Sequence, residues 1–150
     1  MQIGGRASAI LAQKRASSIW TIDPNATVIA AIQLMDEKNV GALPVVDNGR
    51  LVGIVSERDY TRKVILKERS SQEILVSEIM TRQLLTVAPS DSVTECMRIM
   101  TEKRVRHLPV LVGTDLVGIL SIRDVVNWLI LAQTATIESL ERYVTGDHPA

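Results

Sequence analysis

The chain has 150 residues, 46% of them hydrophobic and 23% charged, a composition that suits a folded globular chain and excludes a disordered one. Basic and acidic residues number 17 each, so the whole-chain charge gives no general attraction for nucleic acid and leaves only a local basic patch open. The single cysteine, Cys96, excludes an internal disulfide and fits a reducing cytoplasm; MQIGGRASAILAQKR lacks an apolar signal-peptide core, and the apolar stretch WLILA at 128–132 is too short to span a membrane.

In chain order, an N-terminal lead-in (1–19) carries a predicted short helix over 6–16. Repeat 1 (20–66) opens with a short strand at Trp20–Ile22 and a turn at Pro24. A helix follows, N-capped by Thr27, with Val28, Ile32 and Met35 on its core face. The runs LPVVD and LVGIV around Asn48-Gly49 predict a hairpin, and a last helix starts at Ser56. A linker (67–84) holds the helical segment VSEIMT, 76–81. Repeat 2 (85–131) restates the order. It has a strand at Leu85–Val87, a turn at Pro89 and a helix capped by Ser92 with Val93, Met97 and Met100 inward. Cys96 is buried on that helix; a hairpin through Gly113-Thr114-Asp115 and a helix from Ser121 follow. The tail (132–150) carries a helix over Thr136–Val144, closed near Gly146; its stripe Ile137, Leu140 and Val144 either covers the core or meets a partner subunit.

A shift of 65 residues aligns 21–59 with 86–124 without a gap, and 17 of the 39 positions are identical. Two copies argue for a pseudo-symmetric pair rather than an array. The order strand, helix, strand, strand, helix predicts an α/β (α+β) fold with small mixed sheets. A single repeat of this size buries surface poorly, so the halves are expected to share a core.

Two constellations carry possible chemistry. The boxes SERD (56–59) and SIRD (121–124) follow strands that end Gly-Ile-Val and Gly-Ile-Leu. Their spacing fits a capping box. Spacing alone favours that reading, but the same geometry suits a ribose-phosphate site, with helix N–H groups, Ser and Arg towards phosphate and Asp accepting from ribose hydroxyls. The segments KNVGALP (38–44) and KRVRHLP (103–109) are either plain helix-to-strand loops or frames for a base, fixed by proline. Where the first has Gly41-Ala42 the second has Arg106-His107, with Lys103 and Arg104 just upstream, a basic cluster read as a solvated face or an anion site. With no metal-ligand cluster, activated nucleophile or P-loop, and the other histidine, His148, in the tail, the residues do not suggest an enzyme.

These paired loops, the strands LVGIV and LVGIL and the SERD and SIRD boxes make residues 18–131 resemble a CBS-domain pair, or Bateman module, of the small bacterial stand-alone kind. The resemblance implies two β-α-β-β-α repeats packed about a pseudo-twofold axis, with a cleft in each for an adenosine ligand such as AMP, ADP, ATP, NAD or S-adenosylmethionine. Carried onto this sequence, site 1 comprises Thr21, Ile22, Val40, Gly41, Ala42, Leu43, Pro44, Ser56, Arg58 and Asp59. Site 2 comprises Thr86, Val87, Val105, Arg106, His107, Leu108, Pro109, Ser121, Arg123 and Asp124. The Asp residues would hold ribose, the Ser and Arg residues phosphate, and the loops adenine; Arg106 and His107 would add phosphate contacts. Two departures stand out: Ser replaces the usual Thr in both boxes, and Arg123 replaces a small residue, adding a phosphate contact or partly filling the cleft. The resemblance further implies a cytoplasmic homodimer, assembled as a flat disc, that signals through a regulated protein without itself catalysing a reaction. A structural dimerisation module with degenerate clefts is the alternative, against which the intact Ser, Arg and Asp residues argue; a nucleic-acid binder is a lesser one.

Overall fold

The structure, a computed structural model, describes residues 4–14 and 19–145, excluding the side chains of 136 and 145. Helix α1 is Ala7–Gln13 and α2 Val28–Lys38; strands β1 (Ala42–Asp47) and β2 (Arg50–Ser56) lead to the short helix α3, Glu57–Tyr60. A π-helical turn at Thr61–Ile65 follows, then α4 (Val76–Ile79), α5 (Val93–Lys103), β3 (His107–Val112), β4 (Asp115–Ser121) and α6 (Ile122–Thr145). No helix among the described residues is long and apolar enough to cross a membrane.

The expected caps are in place: Thr27 Oγ1 accepts from the Ala30 N–H at 3.3 Å and Ser92 Oγ from the Glu95 N–H at 3.0 Å. Both helices then end in the left-handed region, at Asn39 (φ 55°) and Arg104 (φ 54°). Asparagine tolerates that conformation; arginine gains nothing from it. The hairpins match in register, each with a bulge, between Val45 and Val46 and between Val110 and Leu111. Asn48 and Gly49 both take positive φ, as a type I′ turn requires, whereas in the second turn only Gly113 does, the type II′ pattern.

Two expectations about the elements change. Each lead strand contracts to one bridging residue, Ile22 parallel to Val45 and Val87 parallel to Val110, leaving two-stranded sheets. Proline two residues after each bridge, at Pro24 and Pro89, stops the pairing there. The helix from Ser121 and the tail helix are one 24-residue element, because neither Gly nor Pro interrupts 122–145; the expected closure at Gly146 lies outside the described residues. Likewise α1 is described only as far as Gln13, with Lys14 as its cap.

The interior is two clusters, not one shared core. Val28, Ala31, Met35, Leu43, Val45, Val55 and Val64 close with the linker residues Ile74, Val76, Ile79 and Met80. Val93, Cys96, Met100, Leu108, Val110, Leu120 and Val125 close with Ala7 and Ile10 of α1. Each repeat thus completes itself with a foreign segment, docked the same way. In repeat 1 the Val28 N–H donates to Ile74 O, the Val76 N–H to Ala26 O and the Ser77 N–H to Pro24 O, at 2.8–2.9 Å. In repeat 2 Val93 donates to Gly5 O, Ala7 to Asp91 O and Ser8 to Pro89 O, at 2.8–3.1 Å. Met80 lies against Gly53 and Leu11 against Gly118, where an added Cβ would come within 2.7 Å of the facing side chain.

Candidate functional site

In both repeats the three segments expected to form a site are joined by backbone. Ile22 donates to Pro44 O and Val87 to Pro109 O, each at 3.0 Å, so the lead residues flank the loops. Ala42 lies opposite Ser56 and His107 opposite Ser121 in the hairpin registers. The Glu57 N–H donates to Gly41 O at 3.1 Å and the Ile122 N–H to Arg106 O at 2.8 Å, tying each loop to the helix after it.

These bonds narrow what the helix starts can offer. The first N–H is used by the loop, and Ser56 and Ser121 accept from the Asp59 and Asp124 N–H groups at 3.2 and 3.1 Å. Each Asp carboxylate accepts in return from its Ser N–H, at 3.0 and 2.8 Å, so both boxes are capping boxes. Fewer free donors remain for a phosphate than the sequence suggests, and more of that task falls to side chains. Arg58, Lys103, Arg104, Arg106 and Arg123 are all exposed, with no ion pair among the described residues.

The two aspartates differ in what else holds them. Asp59 Oδ2 accepts from the Ser56 N–H and hydroxyl, while Oδ1 takes Lys63 Nζ at 3.0 Å and the Thr81 hydroxyl at 3.4 Å. Both oxygens are engaged. Asp124 Oδ2 takes the Ser121 N–H and Lys14 Nζ, the latter at 2.9 Å, and Oδ1 carries no hydrogen bond among the described residues. The lysines come from different places. Position 128, the repeat-2 counterpart of Lys63, is Trp128, and α1 supplies the charge instead; Lys14 Nζ also donates to Ile119 O at 2.8 Å. Lys63, Lys14 and Thr81 are contacts that the sequence reading missed. Lys63 was available as an i,i+4 partner of Asp59; Lys14, 110 positions from Asp124, gave no local signal.

Other expected residues divide. Leu43 and Leu108 are fully buried in the two cores, so only their backbone faces a ligand, and Val87 is 4% exposed. Thr21 lines a cavity of about 330 Å³ with Val46, Leu51, Asp115 and Leu116, between the two hairpins. Asp124 lines another of about 370 Å³ with Lys14, Gln13, Asn127 and Ile10, between α1 and α6. The repeats touch across the loops: Arg58 Nη1 reaches Arg104 O at 3.5 Å, and a Cβ on Gly41 would lie 3.6 Å from His107 Nε2. Burial pushes the His107 pKa below its ordinary value, with Lys14 and Arg106 acting in the same direction and Asp124 opposing. That shift favours the neutral ring, which can still donate or accept a hydrogen bond. Among the described residues no group of three His, Cys, Asp or Glu side chains could hold a metal ion.

Two repeats of this topology, each with a loop and capped helix and in contact across those loops, define the class. The CBS domain model matches residues 16–65 and 76–131, and the chain belongs to the CBS domain family. It is 40% identical over 127 residues to the mitochondrial CBS domain-containing protein CBSX3 of Arabidopsis thaliana, covering 81% of this chain but 62% of that one, less than two thirds of its length. A structure from Burkholderia ambifaria MC40-6, described as a candidate signal-transduction protein with CBS domains, superposes with a TM-score of 0.83 at 50% identity, covering 86% of this chain and 96% of that one. The hexameric CBS-CP12 protein from bloom-forming cyanobacteria gives 0.74 at 30% identity, covering 84% and 72%. The CBS domain pair of protein MJ0100, in complex with 5′-methylthioadenosine and S-adenosylmethionine, shares the fold with a TM-score of 0.74 at 23% identity, covering 85% and 97%. CBS pairs in general bind adenosine ligands and serve as regulatory modules.

Proposed function

We propose that this chain is an adenosine-nucleotide sensor whose principal ligand, drawn from AMP, ADP, ATP, NAD and S-adenosylmethionine, binds at repeat 2. The observation that carries this reading is the Asp124 carboxylate: Oδ2 is fixed by Ser121 and Lys14, while Oδ1 accepts no hydrogen bond among the described residues. A ribose hydroxyl can donate to that oxygen without displacing one of these bonds. Arg106 and Arg123, exposed and not ion-paired among the described residues, then supply phosphate contacts, and His107 offers its ring at the inter-repeat seam. At repeat 1 a ribose must displace Lys63 or Thr81 from Asp59, so site 1 binds more weakly. The module acts as a homodimer on a separate regulated protein and catalyses no reaction itself.

Thermal melting of the full chain with each nucleotide tests this. A ligand at about 100 times its Kd stabilises by about 2.7 kcal/mol. Asp124→Ala should abolish the stronger binding event and Asp59→Ala at most a weaker one. No shift with any adenosine compound would leave a purely structural pair; equal loss in the two variants would remove the assigned ranking.

A further inference from the structure

Helix α6 outruns the repeat that it closes. In repeat 1 the corresponding segment ends at Ile65 with Leu66 as its cap; the 65-residue shift maps these to Ile130 and Leu131, yet α6 continues to Thr145. Every described side chain from 130 to 144 is exposed. Along this helix Val126, Ile130, Gln133, Ile137, Leu140 and Val144 follow steps of four, three, four, three and four. Steps that alternate four and three follow the heptad spacing and keep all six in one stripe. The five apolar members are 45–84% exposed. The stripe lies beside, not on, the face through which Val125 and Leu129 pack the second core. The repeats share only its middle: Ile65, the counterpart of Ile130, is also 54% exposed, whereas Thr61 stands at the counterpart of Val126. The seam beyond Leu131 belongs to α6 alone.

We propose that α6 pairs in parallel with α6 of a second copy, forming a two-stranded coiled coil over Val126–Val144. This deepens the homodimer reading by naming its surface, and it does not depend on which nucleotide binds. The occupant follows from the seam's own chemistry. Ile130, Ile137 and Val144 fall at the a positions and Val126, Gln133 and Leu140 at d; in a parallel coiled coil, β-branched a layers with Leu at d, as at Leu140, favour two strands. Gln133 decides between a copy and a foreign helix. Against an apolar stripe its amide would lose water and gain no partner, whereas in a self-pair it faces an identical amide that donates and accepts in return. The charged residues of this stretch, Glu138, Glu141 and Arg142, lie off the stripe.

Light scattering on the eluting full chain should give a dimer mass at micromolar concentration. Ile137→Glu combined with Leu140→Glu should convert it to a monomer. Both side chains are more than half exposed, so the circular dichroism and any nucleotide-induced melting shift should persist, which separates a lost seam from a lost fold. Leu140→Cys should form an interchain disulfide on oxidation, because only parallel pairing brings the two copies of that position together; Cys96 is buried and stays out of the reaction. A dimer that survives the double substitution overturns the seam while leaving the homodimer reading intact. A monomeric wild type overturns both, and a dimer without the Leu140→Cys cross-link overturns the parallel arrangement.

Discussion

Asp124 shows how little separates a cap from a binding group. Its carboxylate holds the Ser121 N–H at 2.8 Å and Lys14 at 2.9 Å, with its side chain 14% exposed. Lys14→Met leaves that charge mostly shielded and without its counter-ion, which should cost roughly 1–2 kcal/mol in an incompletely buried setting. The same variant should weaken ribose-containing ligands at repeat 2 more than Lys63→Met does at repeat 1, where Thr81 still holds Asp59. Calorimetric titration of both variants tests the ranking. His107 gives a pH signature. Its folded pKa lies below the unfolded value near 6.5, so the unfolded chain takes up the proton first. Stability is complete above about pH 6.5 and declines as pH falls through and below it. His107→Gln should flatten that decline in melting curves between pH 7.5 and 5.5, values taken to span the unfolded pKa; an unchanged slope would assign the acid loss to other groups.

At the scale of elements, the docked segments explain two glycines that the hairpin pattern alone does not. A Cβ on Gly53 would sit 2.7 Å from Met80 Sδ and 3.0 Å from Thr81 O; for one on Gly118 the three nearest atoms all belong to the Leu11 side chain. A side-chain end can turn away, whereas the Thr81 carbonyl is held by the Ile54 N–H at 3.0 Å. Gly53→Ala should therefore cost more than Gly118→Ala, within the roughly 1–3 kcal/mol of overpacked sites, as denaturant midpoints would read. The elements themselves were largely legible: the 65-residue repeat, the caps Thr27 and Ser92, the Asn48-Gly49 turn and both Ser-x-x-Asp boxes are local patterns with local causes. What sequence did not reveal is long-range. The single-residue lead strands depend on which partner reaches them, and the run from Ile122 to Thr145 reads as two helices because its apolar stripe changes neighbours midway. Lys14 reaches Asp124 only because α1 docks on the distant repeat.

At the scale of the whole molecule, that docking makes each repeat's stability depend on a different part of the chain. The first core is closed by Ile74, Val76, Ile79 and Met80 of the linker, the second by Ala7 and Ile10 of α1. Because the clusters are separate, damage to one closing segment should open one repeat before the other. Ile10 is 1% exposed, and Ile10→Ala should cost about 2–5 kcal/mol by lost transfer and cavity energy. The loss should appear locally. In native-state hydrogen exchange, amides of α5, whose Val93, Cys96 and Met100 share the Ile10 cluster, should exchange faster, while α2 keeps its protection. Val76→Ala should do the reverse, exposing Val28, Ala31 and Met35 of α2 first. Equal acceleration of both helices in either variant would mean that the seam through Arg58, Arg104 and His107 couples the cores into one cooperative unit. Unequal acceleration would give a ligand at Asp124 a direct structural consequence. Lys14, which anchors α1 beside that carboxylate, would link occupancy of repeat 2 to closure of its own core, and the ligand should restore α5 protection in Ile10→Ala without changing that of α2.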